Sequence, residues 1–149
     1  MHSEKNSEKK LARGLRNCNP LNIKIGNDWK GERKVNTDGV FEQFVSMEYG
    51  YRAGFYILFK YIRKYKRDTI HSIIDSWAPD GEPYQSNYKA KVASVANIGV
   101  HDRVDAFNKE LMCAIARGMT IVENGTTEID EIAISNGYDM AIKYWVQGT

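Results

Sequence analysis

"EYGYRAGFYILFKYIRKYKR", Glu48 to Arg67, is the stretch on which the fold turns. Tyr51, Phe55, Leu58, Phe59 and Ile62 recur at the i, i+4, i+7 spacing that lines one side of an α-helix with apolar side chains. The segment therefore reads as a helix with a buried stripe. Arg52, Tyr56, Lys60, Arg63, Lys64 and Arg67 fall on its other side. That basic face reads either as a solvated helix surface or as a contact for an anionic polymer: teichoic acid, lipid headgroups or nucleic acid.

Helical patterning continues towards the C-terminus. Thr69 suits the N-cap of a short helix carrying Ile70, Ile73, Ile74 and Trp77, with Trp77 completing its apolar stripe. Pro79 ends it, because the residue before a proline is driven out of the helical region. "DGEPYQSN" (80–87) is a polar loop flanked by Tyr84 and Tyr88. A further helix is expected from about Ser86 through Tyr88, Val92 and Val95, with Gly99 as its C-terminal cap. Asp102 is the expected cap of the next, whose core face is Val104, Phe107, Leu111, Ile115 and Gly118. "TEID" (127–130) resembles a capping box before the last helical material, Ile129 to Val146, which Ser135-Asn136-Gly137 is expected to interrupt.

Towards the N-terminus the pattern changes. Residues 13–39 read as loop, with turn signals at Asn19-Pro20, Gly26-Asn27, Gly31 and Asp38-Gly39. "VFEQFV", Val40 to Val45, is the strand candidate. The expected class is mainly α (α+β), with one small β element in the N-terminal third. Residues 1–12, rich in Lys, Glu and Ser, are expected to form a flexible charged tail, and 13–149 a single domain.

Bulk properties narrow the function. A chain of 149 residues holds one domain with a real core. Its net charge of +2 is too mild to imply nucleic acid by itself. Cys18 and Cys113 lie far apart without a CxxC partner, which predicts two reduced thiols rather than a zinc site or a disulfide framework. No stretch approaches the ~20 apolar residues of a membrane span, and "MHSEKNSEKK" lacks the apolar region of a secretory signal. There is no glycine-rich phosphate loop, HExxH or GxSxG, and His2, His71 and His101 sit in unrelated contexts. Neither a metal nor an organic cofactor is expected. Ala133 and Gly137 stand four apart, as in some helix-turn-helix units, but Glu128, Asp130, Glu131 and Asp139 would repel phosphate. Nucleic acid is therefore a disfavoured partner. What remains is carboxylates, aromatics and amides, an inventory suited to sugar chemistry.

"RGLRNCNPLNIKIGNDWKGE", Arg13 to Glu32, concentrates that inventory: Asn17, Asn19, Asn22 and Trp29 in a stretch with almost no hydrophobic period. Trp29 reads either as a core anchor for a thin loop region or as a binding surface. Together with "TDGVFEQFVSMEYGYRA", "TIHSIIDSWAP", "GEPYQSNYKAKVA" and "ENG", the stretch resembles a family of phage and prophage structural (virion) proteins. Its members read RGIRNNNPGNIR…W.G…TD..F..F…YGIRA…II..WAP…ENG, with the blocks in the same order over residues 13–125. The resemblance implies a lysozyme-like fold and peptidoglycan degradation. A fainter similarity links "NPLNIKIGNDWKG" and "APDGEPYQSNYKAKV" to segments lining the glycan cleft of bacterial glucosaminidases, which would make Asn19, Trp29 and Tyr88 cleft residues.

The resemblance implies a lysozyme or lytic transglycosylase acting on peptidoglycan glycan strands, of phage, prophage or antibacterial-effector origin. Glucosaminidases carry their catalytic glutamate in an E-S-G-W-G motif that has no counterpart here, so the acid must come from elsewhere. Glu82 is the expected proton donor, with Trp77, Pro79, Tyr84 and Tyr88 as the apolar wall that would keep it protonated. Asp38 is the expected second carboxylate, although an Asp-Gly turn accounts for it equally well. Asn17, Asn19, Asn22, Trp29, Tyr84 and Tyr88 are the expected sugar contacts. The rival readings are a glycan-binding virion or delivery component without activity, and a DNA-binding accessory protein of a mobile element. The implied partners are the glycan strands together with a phage particle, injection machinery or an immunity protein. The implied location is the cell wall or periplasm, reached from the bacterial cytoplasm by holin, virion or secretion machinery.

Overall fold

In the computed structural model, which describes residues 11–148, the chain is mainly helical. A single turn, α1 (Arg13–Arg16), leads into a long irregular segment and then α2 (Met47–Phe59), which continues as a π-helical turn (Lys60–Lys64). There follow α3 (Ile70–Trp77), α4 (Tyr84–Ala96), α5 (Lys109–Asn124) and α6 (Glu131–Gln147). Residues 1–10 of the expected charged tail lie outside the described residues.

The Glu48–Arg67 stripe folds as its spacing predicts. Tyr51, Phe55, Leu58, Phe59 and Ile62 are all buried in one core with Ile70, Ile73, Ile74, Val92, Met112 and Ile115. α2 lies along α6, and Phe55 and Phe59 meet Tyr138 edge-on at 5.4 and 5.6 Å. Buried tyrosines need a partner for the hydroxyl. Tyr51 finds Thr120 at 2.8 Å, and Tyr138 donates to the Ala106 carbonyl at 2.9 Å.

The basic side of the helix does not form a single solvated face. Arg52 is 8% exposed with its guanidinium over the Tyr144 ring. Arg63 stacks on Phe107, and Arg67 donates to the Ser76 hydroxyl. The π-turn, closed by the Tyr65 N–H on the Lys60 carbonyl, shifts the register between Lys60 and Arg63 and so divides the run.

Thr69 caps α3 in a capping box with Ser72, and the helix stops before Pro79. Other boundaries differ from expectation. Asn97, in the left-handed region, caps α4 rather than Gly99. Asp102 holds the following turn by accepting the Gly99 N–H at 2.7 Å, whereas Asn108 caps α5. Val104 is buried from a loop, and Phe107 is largely exposed. Asp130 caps α6, so Thr127 does not head a capping box there. α6 also runs unbroken through Ser135-Asn136-Gly137. Gly137 serves packing: a β-carbon there would stand 2.5 Å from Tyr51 Cβ and 3.0 Å from the Glu48 carbonyl oxygen.

Val40–Val45 is not a regular strand. It makes isolated antiparallel bridges, Phe41 with Lys24 and Phe44 with Glu32. Its backbone groups are divided among three segments: residues 23–25 on one side, residues 31–33 on the other, and Asn17 for the Phe44 N–H. Neither flanking segment stays extended long enough to build a ladder. Asn19 closes the gap, its amide nitrogen donating to the Ile23 and Glu42 carbonyls at 2.9 and 3.0 Å.

Candidate active site

The acid best placed for proton chemistry is Glu123, in the last turn of α5. Its Oε1 accepts from the Asn22 amide and its Oε2 from the Tyr88 hydroxyl, both at 2.9 Å. Asn22 reaches it from the N-terminal loop in a left-handed conformation, and Tyr88 from α4. Gly14 allows the approach of α1. A β-carbon there would lie 2.5 Å from Asn124 Oδ1, 2.6 Å from Asn22 Oδ1 and 2.9 Å from the Asn19 carbonyl. Asn124 ties the same corner by donating to the Pro20 carbonyl at 2.7 Å.

Burial pushes the Glu123 carboxyl above the ordinary glutamate range. Donation from Asn22 and Tyr88, with the nearby Trp77 side chain, pulls the other way, and the charge of nearby Asp80 adds to the upward push. The negative end of the α5 dipole also disfavours the carboxylate. The result is a part-buried acid whose proton affinity is raised and whose two donors, Asn22 and Tyr88, can stabilise the anion. Both states of a general acid are thereby provided for.

The expected acids occupy other roles. Glu82 is exposed ahead of α4, and its carboxylate accepts the Ser86 N–H and hydroxyl, which is a helix-start contact. Two of the side chains expected to wall it, Trp77 and Tyr88, instead act on Glu123. Asp38 accepts two hydrogen bonds from Arg13, at 2.6 and 2.7 Å, one from Asn17, and the backbone N–H groups of Val40 and Phe41. The Arg13 guanidinium, with the Phe41 N–H and Asn17, holds it well below the usual carboxylate range. An aspartate so held anchors residues 38–41 through its ionised carboxylate, the contact expected of an Asp-Gly turn.

The expected sugar contacts divide similarly. Asn17 is buried between Asp38 and Gln43, and Asn19 is spent on backbone, so neither amide faces a ligand. Asn22 and Tyr88 hold Glu123, and Tyr84, 41% exposed, stands beside Tyr88 with ring centres 5.8 Å apart. Trp29 belongs elsewhere. It is half-buried, edge-on to Tyr56 at 5.9 Å, and its backbone N–H donates to Glu32. It lines a cleft of about 830 Å³ with Arg52, Tyr56, Lys60, Tyr65 and Tyr144. Trp77 links the two regions, meeting Tyr61 of this cleft at 6.3 Å and influencing Glu123. Glu42, close to the Glu32 that accepts the Trp29 N–H, is buried, and burial followed by neighbouring Glu32 pushes its carboxyl up to about 7.

Glu123 lies in "ENG", one of the blocks that carry the resemblance to phage structural proteins, and that is the signal in the sequence that points to it. Its partners are 101 and 35 residues away in the chain, so its surroundings could not be read locally. Among the described residues, no group of three or more His, Cys, Asp or Glu side chains could hold a metal ion, and no helix is long and apolar enough to cross a membrane.

No family model matches the chain. Over 132 residues it is 39% identical to Protein P5 of Pseudoalteromonas phage PM2, an alignment that covers 86% of this chain and 81% of that protein.

Proposed function

We propose that this chain, which belongs to the same family as Protein P5 of Pseudoalteromonas phage PM2, is a peptidoglycan-cleaving glycosidase with a lysozyme-like fold, of lysozyme or lytic transglycosylase type. The observation that carries the reading is Glu123: a part-buried carboxyl with a raised proton affinity, held on both oxygens by Asn22 and Tyr88 and bordered by Trp77. In this mechanism Glu123 donates its proton to the oxygen between two sugars. The bond breaks through an oxocarbenium-like state, and Asn22 and Tyr88 stabilise the carboxylate left behind. Tyr84, exposed at the edge, offers a face to the sugar and a phenol for a hydrogen bond.

With Glu123 acting alone, the substrate's own hydroxyl can close on the anomeric carbon and give an anhydro end. A lysozyme would instead recruit water or a second carboxylate. Phage kinship supports delivery to the cell wall by a virion or by a holin-dependent release, with the particle as a partner.

The test is mass spectrometry of the fragments released from purified cell walls. Wild-type protein is expected to release muropeptides and Glu123→Gln to release none, and the ends of the fragments distinguish anhydro from hydrolytic products. No release by the wild type removes the glycosidase reading; equal release by both removes Glu123 as the acid. A second reading is a virion component that binds wall glycan without cutting it. It draws on the aromatic cleft around Trp29, and saturable retention on cell walls without released fragments would favour it.

A further inference from the structure

The cleft beside Trp29 contains a buried cation that has no ion-pair partner among the described residues. Arg52 is 8% exposed, yet among the described residues its side chain makes no ion pair and no hydrogen bond; its contact is the Tyr144 ring at 4.9 Å. Its nitrogens are not sealed off, because the residue lines the open cleft. A guanidinium this deep, with five donors in a fixed fork, is costly to leave without an anion.

The surroundings define what that anion is attached to. Arg52, Tyr56 and Lys60 stand at four-residue intervals on α2 and its π-turn, so they present a cation, a ring and a cation along one line. Lys60 lies 6.0 Å from the centre of the Tyr56 ring, and Trp29 meets that ring from the opposite loop. Three cations, Lys30, Arg52 and Lys60, face one carboxylate, Asp28, across the opening. A volume of about 830 Å³ is ample for a disaccharide. Half-exposed aromatic rings suit the flat face of a sugar, and a buried fork suits a carboxylate held by two parallel hydrogen bonds.

We propose that this cleft is a binding site for a carboxylate-bearing saccharide, namely a muramoyl sugar with its peptide stem. Trp29 and Tyr56 take the sugar, and Arg52, aided by Lys60, takes a free carboxylate of the stem. The choice of ligand rests on the proposed action on peptidoglycan. The cleft itself is a separate site from the Glu123 corner, joined to it through Trp77 and Tyr61.

The test is calorimetric titration of the full chain, carried as Glu123→Gln so that ligand is not consumed. The probes are a disaccharide-tetrapeptide, chitotetraose and a short glycerol phosphate oligomer. The disaccharide-tetrapeptide is expected to bind saturably and at least about tenfold tighter than chitotetraose. Arg52→Gln should reduce that preference by roughly tenfold or more while leaving chitotetraose binding as it was. Lys60→Gln, at a half-buried position free of the core, should weaken the peptide-bearing ligand several-fold and guards against a folding defect in the arginine variant. Equal affinity for chitotetraose, tighter binding of the phosphate oligomer, or unchanged binding in both variants overturns the proposal. If wild-type protein releases no muropeptides but binds the disaccharide-tetrapeptide in this way, the glycosidase reading fails and the cleft assignment stands.

Discussion

Tyr88 donates its hydroxyl to Glu123 at 2.9 Å from a ring that is 1% exposed. A hydrogen bond to a carboxylate favours the ionised form, so this contact lowers a proton affinity that burial has raised. Tyr88→Phe should therefore raise the Glu123 proton affinity further. A general acid works while protonated, so the alkaline limb of the lytic pH profile should move upward in this variant. Losing the bond should also cost about 1 kcal/mol in stability. A profile that stays in place, measured by turbidity clearing of cell walls across pH, would separate Glu123 from the proton-transfer step.

Glu123→Gln should abolish lysis and leave the fold as stable as before, or more so, near neutral pH. A folded-state proton affinity raised above the unfolded value contributes stability that is fully present below the ordinary glutamate range. That contribution is lost as pH rises through the raised value. The amide carries no charge to bury, so the variant's thermal midpoint should fall less than the wild type's between mildly acidic and alkaline pH. Equal slopes in the two proteins would mean that burial does not raise the Glu123 proton affinity.

Asp38→Asn should behave in the opposite way on both counts. The lowered proton affinity of Asp38 gives stability that is present above the ordinary aspartate range and lost as pH falls through the depressed value. At neutral pH the variant loses its paired contact with Arg13 and should melt at a lower temperature. The gap should narrow on acidification. Lysis per folded molecule should be retained, because the carboxylate anchors residues 38–41 rather than meeting substrate. Specific activity corrected for folded fraction is the measurement, and a loss comparable to Glu123→Gln would restore Asp38 as a catalytic group.

Periodic features were legible in the sequence, and features that depend on distant partners were not. The Tyr51–Ile62 stripe, the Thr69 cap and the Pro79 stop depend on residues within a few positions, and the structure carries them as read. Asn17 and Asn19 read as sugar ligands, but an amide spent on other side chains or on backbone has the same letter as one that binds a ligand. Arg52 lay in a run of basic residues with nothing to separate it from Arg63 or Arg67. What distinguishes it is burial against Tyr144, 92 positions away. Glu82 drew the proton-donor expectation because Trp77 and Tyr88 are its neighbours in sequence, whereas in the fold the Tyr88 hydroxyl donates to Glu123 on α5.

Gly137→Ala tests the packing that made a helix interior look like a break. Alanine is the better helix former by about 1 kcal/mol, which alone would stabilise α6. A β-carbon there, however, would stand 2.5 Å from Tyr51 Cβ, and neither helix backbone can yield without disturbing the aromatic core. Overpacking of this kind costs about 1–3 kcal/mol. Net destabilisation is expected in urea unfolding, and a stabilised variant would mean that α2 and α6 are not held this closely.

Glu42 provides a pH signature separate from the candidate sites. It is 2% exposed, one of its oxygens has no hydrogen-bond partner, and Glu32 lies close enough to raise its proton affinity after burial has done so. Its carboxyl is pushed up to about 7 from an ordinary value of 4.5. Because the folded value is the higher one, the protonated group favours the fold at acidic pH, and that advantage disappears as pH rises through about 7. Glu42→Gln keeps the shape without the charge, so its thermal midpoint should stay level from pH 6 to 8 while the wild type's declines. Glu32→Gln should move in the same direction by a smaller amount, since Glu32 is the second cause of the shift and burial the first. Parallel curves for all three proteins would show that Glu42 is ionised in the fold throughout this range, and that the loop carrying Trp29 tolerates two neighbouring charges.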